Sequence, residues 1–187
     1  RAGAVAGRHG KPGRSAEWHA LSWKRVAALL VLATAVQFLV GGSRLRVILP
    51  IDVFLIATAI VARGGNSVTA VLVGGTMGLL EDALTSDLLG MNAFAKAAIG
   101  YVLALLSIRV MFGGVWAVGA ALAAASLAND AIVAVLASLL LQAPIVLLSR
   151  ESIWRAVATG ATAALLEAGR RFAWKDWWEK RRLRRLR

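Results

Sequence analysis

Residues 74–101 read GGTMGLLEDALTSDLLGMNAFAKAAIGY, and this stretch decides the fold. The chain around it is nearly continuous apolar sequence, yet here it carries Glu81, Asp82, Asp87 and Lys96. Ahead of the polar turn stands a stripe of small residues, Ala70, Gly74 and Gly78, each four apart, with Asp82 next in step. Residues four apart share one face of a helix, and small residues on that face let two backbones approach closely. Ionisable groups in or beside a bilayer are costly and seldom idle. The stretch therefore predicts a tightly packed helical hairpin with a polar junction.

Composition sets the frame. Of 187 residues, 59% are hydrophobic and mean hydropathy is +0.69, above the roughly half-apolar make-up of soluble domains. The excess lies in blocks of about 16 to 30 residues, the length of a membrane span. The expected fold is all-α, one polytopic bundle of six transmembrane helices over 24–170. A disordered basic tail (1–23) precedes it and a basic helix or tail (171–187) follows.

The net charge of +12 is placed at the ends: of 22 Lys and Arg, six lie in residues 1–25 and nine in 170–187. Basic tails flanking a bundle are topology signals and contacts for anionic lipid, so nucleic acid is not expected as a partner. The absence of cysteine excludes disulfides, thiolate metal sites and cysteine nucleophiles. His9 and His19 both lie in the N-terminal tail, so the spans hold no histidine site. No cofactor or metal is expected.

Six spans are expected, at about 24–41, 47–62, 67–84, 90–111, 115–142 and 152–169, by hydropathy and breakers such as Gly41-Gly42 and Gly113-Gly114. Pro50 falls in the first turn of the second, where proline is tolerated. Several are short and must tilt, pack inward or thin the bilayer. The chain opens on Arg1, which points to processing or trimming. The apolar run after Lys24-Arg25 is long for a signal peptide and reads as an uncleaved first span.

Loop charge sets the orientation. Of the 22 basic residues, all but Lys96, Arg44, Arg46, Arg150 and Arg155 fall on the side that the termini share. Both termini are thus expected in the cytoplasm and the acidic turn at 81–87 outside, in a bacterial inner membrane. The seven tryptophans Trp18, Trp23, Trp116, Trp154, Trp174, Trp177 and Trp178 all fall near span ends, where indole rings prefer the interface. A core role for Trp116 or Trp154 is the competing reading. The segment RRFAWKDWWEKRRLRRLR reads as helix, either lying on anionic lipid or serving as a handle for a cytoplasmic partner.

The small-residue stripe Ala70, Gly74, Gly78 has two readings, a partner-binding face or packing within the bundle, and the second is favoured. Ala156, Gly160, Ala164 and Ala168 repeat the pattern and would face a partner at the bundle edge. The intramembrane polar cluster is Asp52, Glu81, Asp82, Lys96 and Asp130. Lys96 is the lone basic residue well inside an apolar span, and a short outer turn makes Asp82 its expected partner, with Asp52 and Asp130 next. An outward polar pocket and a structural ion pair are the alternatives. Glu167 and Arg171 are spaced as a local helical pair. No nucleophile elbow, phosphate loop or histidine–carboxylate pair is present, so the chain reads as a non-enzyme.

Over residues 50–142 the order of features resembles the MreD family of bacterial rod-shape-determining membrane proteins. The resemblance rests on Pro50 with IDVFLIATAIVARGG, on the glycine-rich span ending near Asp82, on Leu89-Gly90, on Gly100-Tyr101, and on Asp130 in SLANDAIVAVLASLL. It implies a scaffold of the cell-elongation machinery. Such a scaffold binds MreC, a single-span protein, and works with MreB, RodA and a penicillin-binding transpeptidase in peptidoglycan synthesis. It also implies a fold similar to the substrate-binding subunits of energy-coupling-factor transporters, so a transporter-type subunit holding a small ligand near Asp52, Asp82 and Lys96 is the runner-up. On the scaffold reading, a small-residue face takes the MreC span, and outer loops around 81–90 and 143–151 touch its periplasmic part.

Overall fold

A computed structural model describes residues 23–41, 50–64, 66–85, 88–110, 114–142 and 149–184. They form six helices, with no strand among the described residues: α1 (Trp23–Gly41), α2 (Val53–Ala62), α3 (Ser67–Thr85), α4 (Met91–Val110), α5 (Gly114–Leu141) and α6 (Arg150–Arg184). Trp18, Asp87, the tail before Trp23, the apolar stretch 143–148 and residues 185–187 lie outside the described residues. The helices match the expected spans to within a residue or two except at α2 and α6. Pro50 is not in the first turn of α2. That helix begins at Val53, with Asp52 as its N-cap accepting a hydrogen bond from the Leu55 backbone N–H at 2.8 Å. The side-chain cap satisfies a first-turn donor and fixes the start of the helix. α6 runs unbroken for 35 residues to Arg184, about 52 Å at 1.5 Å per residue, so no backbone break marks residue 171.

α2 is the axis of the bundle. All but Thr58 of the ten residues VFLIATAIVA are apolar, and a helix apolar all round is the signature of a buried element. Phe54, Ala57 and Val61 pack with Val26 and Ala33 of α1 and with Val73 and Met77 of α3. Ile56 and Ala59 meet Val118 and Leu122 of α5 and Ala163 of α6. Leu55 meets Ile99 of α4 and Ala125 of α5, and Ala62 meets Ala70 and Ala104. Ile60 alone among its ten residues faces outward, 38% exposed.

Two helix pairs close around this axis by backbone approach. A Cβ added at Gly74 would collide with the Lys96 carbonyl, one at Gly78 with the Asn92 carbonyl, and one at Gly100 would lie 2.6 Å from the Ala70 carbonyl oxygen. These three contacts run antiparallel along α3 and α4, so Ala70, Gly74 and Gly78 are spent inside the bundle. The second stripe is spent likewise. A Cβ at Gly160 would lie 2.7 Å from the Gly119 carbonyl oxygen on α5, Ala156 is buried, and Ala164 borders Gly119. Close interhelical packing thus takes up both stripes, which is the reading favoured for the first and not the partner-facing one given for the second, apart from the exposed Ala168.

Large apolar side chains stand on the outer surface, and several polar ones lie in the otherwise apolar interior. Val31, Phe38, Leu39, Val68, Leu89, Leu139 and Leu165 are each more than 60% exposed, whereas Lys96, Thr58, Ser126 and Thr159 are fully buried. α3 and α5 are long and apolar enough to cross a membrane, and shorter apolar helices cover Val26–Leu39, Val53–Ala62 and Met91–Ser107.

Gly78→Ala should destabilise the protein by about 1–3 kcal/mol through overpacking against the α4 backbone. Gly75→Ala, whose Cβ would sit 3.9 Å from the Ala97 Cβ, should be neutral or stabilising by up to about 1 kcal/mol, since alanine favours helix. Thermal unfolding of the two variants in detergent checks the contrast.

Candidate functional site

The polar residues cluster at the end of the bundle where α2 and α4 begin and α3 finishes. Lys96 lies five residues into α4, which places its Cα about 8 Å from that end. Its side chain is fully buried. The Nζ donates to Asp52 Oδ2 at 2.8 Å and lies 2.6 Å from Glu81 Oε2. The Asp52 contact is a hydrogen bond. The Glu81 contact is a close ion pair with poor hydrogen-bond alignment. Asp52 is committed on every side: Oδ1 caps α2, Oδ2 holds Lys96, and its backbone N–H donates to Thr159 Oγ1 of α6 at 3.1 Å. One ammonium thus ties α4 to α2 and α3, and Asp52 carries the tie on to α6.

The expected Asp82–Lys96 pair does not form. Asp82 is 1% exposed and is turned to the start of α4. Its Oδ2 accepts from the Gly90 N–H at 2.7 Å and the Ala93 N–H at 3.4 Å, and its Oδ1 accepts from the Asn92 N–H at 3.2 Å and Asn92 Nδ2 at 2.8 Å. The first N–H groups of a helix lack internal acceptors, and a carboxylate there also meets the positive end of the helix dipole. Asp82 is therefore a cap donated by the preceding helix. Glu81, one residue earlier and about 100° round α3, faces Lys96 instead. Gly90 takes φ +107° with open space around its Cα, a conformation that suits glycine and delivers its N–H to Asp82.

Asp130 does not reach Lys96 either. Its Oδ1 lies 3.5 Å from Arg155 Nη1, and Arg155 also lies 3.5 Å from Glu151. Three buried acceptors on α5, Ser126 Oγ, Asn129 Oδ1 and Asp130 Oδ2, have no hydrogen-bond partner among the described residues. Trp116 and Trp154 are 86% and 51% exposed, so neither is a core residue and both stand on the outer surface near helix ends. The side chains of Trp23, Trp174, Trp177 and Trp178 lie outside the described residues.

A second cluster occupies the opposite end. Glu167, 2% exposed, accepts from Arg63 Nη1 at 2.6 Å, Arg170 Nε and Nη2 at 3.1 and 2.7 Å, and Arg171 Nε at 2.9 Å. Sequence spacing shows the Arg171 pair and misses that Arg63, from the α2 end, converges on the same carboxylate. The available signal was an arginine in a tight turn, which carries no partner information. α2 is thus pinned at both ends, by Asp52 and by Arg63. Among the described residues no group of three His, Cys, Asp or Glu could hold a metal ion. Comparison with family models, with curated proteins and with solved structures finds no match to this chain.

Removing one member of a buried ion cluster strands the others, at a cost of about 3–5 kcal/mol. Lys96→Met should therefore lower stability by that order. Adding Asp52→Asn, which retains the α2 cap, and Glu81→Gln should recover more than half of the loss. Thermal unfolding of the single and triple variants measures both.

Proposed function

We propose that this chain is a membrane-embedded, non-enzymatic scaffold of the MreD type, with all six helices in a bacterial inner membrane and both termini cytoplasmic. The observation that carries the reading is that the ionisable groups of the bundle are mostly spent on one another. Lys96 is closed by Asp52 and Glu81, Asp82 by the α4 N-terminus, and Glu167 by three arginines. Groups so committed hold helices in register and leave little to act on a substrate. The features that carry the MreD resemblance have matching physical roles. Asp82 and Gly90 build the α3–α4 turn, Gly100 admits the close approach at Ala70, and Asp52, two residues after Pro50, anchors α2.

On this reading the partner is a single-span protein of the MreC type, and through it MreB, RodA and a penicillin-binding transpeptidase. Since both glycine stripes are used internally, the face offered to the partner's span is the apolar groove of about 780 Å³ between α1 and α3. Leu30, Val31, Phe38 and Leu79 line it, with Thr34 and Ala35 giving it depth. The exposed Leu88 and Leu89 at the turn suit contact with the partner's extramembrane part.

A second reading, a small-ligand subunit of a transporter, is favoured by one observation, the unpartnered acceptors Ser126, Asn129 and Asp130 on α5. It predicts that Asn129→Leu abolishes ligand-induced thermal stabilisation. The scaffold reading predicts that Ala35→Trp, which fills the α1–α3 groove, cuts co-purification of MreC several-fold without changing the melting temperature. Full recovery of MreC with that variant would remove the groove contact.

A further inference from the structure

The Arg63–Glu167–Arg170–Arg171 cluster does more than pin α2. Arg63, Glu167 and Arg170 stand at the mouth of a cleft of about 220 Å³ between α2, α5 and α6, whose walls are Ile56, Ala59, Leu122 and Ala163, with Ile60 and Leu166 at the lip, and Arg171 joins them through Glu167. Three guanidiniums carry about fifteen N–H donors, and Glu167 takes four of them. One carboxylate against three arginines leaves the mouth with a net charge of +2. Arg170 and Arg171 retain side-chain exposures of 56% and 42%, so their remaining donors are open. Along α6, Glu167 is 17 residues from Arg150, about 25 Å. That is near the thickness of a hydrocarbon core and puts the cluster at the membrane face opposite Lys96.

We infer that this cleft is a binding site for an anionic phospholipid, the headgroup phosphate held by Arg170 and Arg171 and the start of an acyl chain lying against Ile60 and Leu166. Arginine forks suit a phosphate, and an isolated apolar cleft beside them suits a chain rather than a free anion. Glu167 positions the guanidiniums: with both oxygens spent, it gathers Arg63, Arg170 and Arg171 around one carboxylate. The inference rests on the membrane embedding proposed above and not on the MreC partnership.

The test uses the full chain, extracted and stripped of lipid in neutral detergent. Retention of dioleoyl phosphatidylglycerol and of dioleoyl phosphatidylcholine is then counted by native mass spectrometry. Protein equilibrated with lipid at about 0.5 M salt, where screening shortens charge attraction to roughly 4 Å, separates the cleft from the basic tails. Phosphatidylglycerol should be retained about tenfold more than phosphatidylcholine, and Arg170→Gln/Arg171→Gln should remove that preference. Neutralising Arg181, Arg182, Arg184 and Arg185 should leave it intact. Equal retention of the two lipids by the unmodified protein, loss only with the tail variant, or displacement by inorganic phosphate alone would each overturn the site. Release of the protein from membranes without detergent would instead overturn the embedding.

Discussion

The buried ammonium of Lys96 is the constraint on which the rest of the structure depends. A charge with no exposed surface is tolerated only when opposite charge meets it within hydrogen-bond distance. Here that charge comes from two different helices, Asp52 of α2 and Glu81 of α3. Both must arrive in register for α4 to stay in place. The glycine contacts serve the same requirement. Gly74 lies against the Lys96 backbone itself, so the side chain can enter the bundle only because α3 has no Cβ there. Asp82 then secures the first turn of the helix that carries Lys96. Backbone approach, helix cap and ion pairing are three parts of one joint.

The opposite end repeats the principle with the signs reversed. There a buried carboxylate, Glu167, is surrounded by Arg63, Arg170 and Arg171. The short apolar α2 is held between the two clusters, by its N-cap at one end and its C-cap arginine at the other. Dispersion and area alone would not set the rotation of a helix that is apolar on nearly every face. The polar pins do so, because only one rotation and one height place Asp52 beside Lys96 and Arg63 beside Glu167. A bundle locked in this way keeps a fixed outer surface of leucines, valines and phenylalanines.

Much of this was legible in the sequence. The spacing of Ala70, Gly74 and Gly78 pointed to a closely packed face of α3, because a helix repeats every 3.6 residues and only small side chains permit such approach. The polar set Asp52, Glu81, Asp82 and Lys96 was legible as a cluster, but its internal pairing was not. Connectivity favours Asp82 for Lys96, whereas the first turn of α4 competes for that carboxylate and wins with four donors. Glu81 was then free to take the ammonium. The central place of α2 and the convergence of Arg63 on Glu167 were not legible, since both depend on which helices neighbour one another, and apolar helices of similar composition carry no such address. The role of the second small-residue stripe was hidden for the same reason: Gly160 has its partners, Gly119 and Ala123, about 40 positions away on α5, and the spacing of those two residues does not say which helix they meet.

On the proposed reading, the interior charges hold a scaffold together and the protein works by binding another protein. Isolation of the protein from native membranes in mild detergent, with mass spectrometry of the intact assembly, tests this most directly. The expected result is one single-span protein in stoichiometric amount and no small polar molecule in the bundle. Recovery of the chain without a protein partner, but with a defined small molecule bound in each copy, would contradict it.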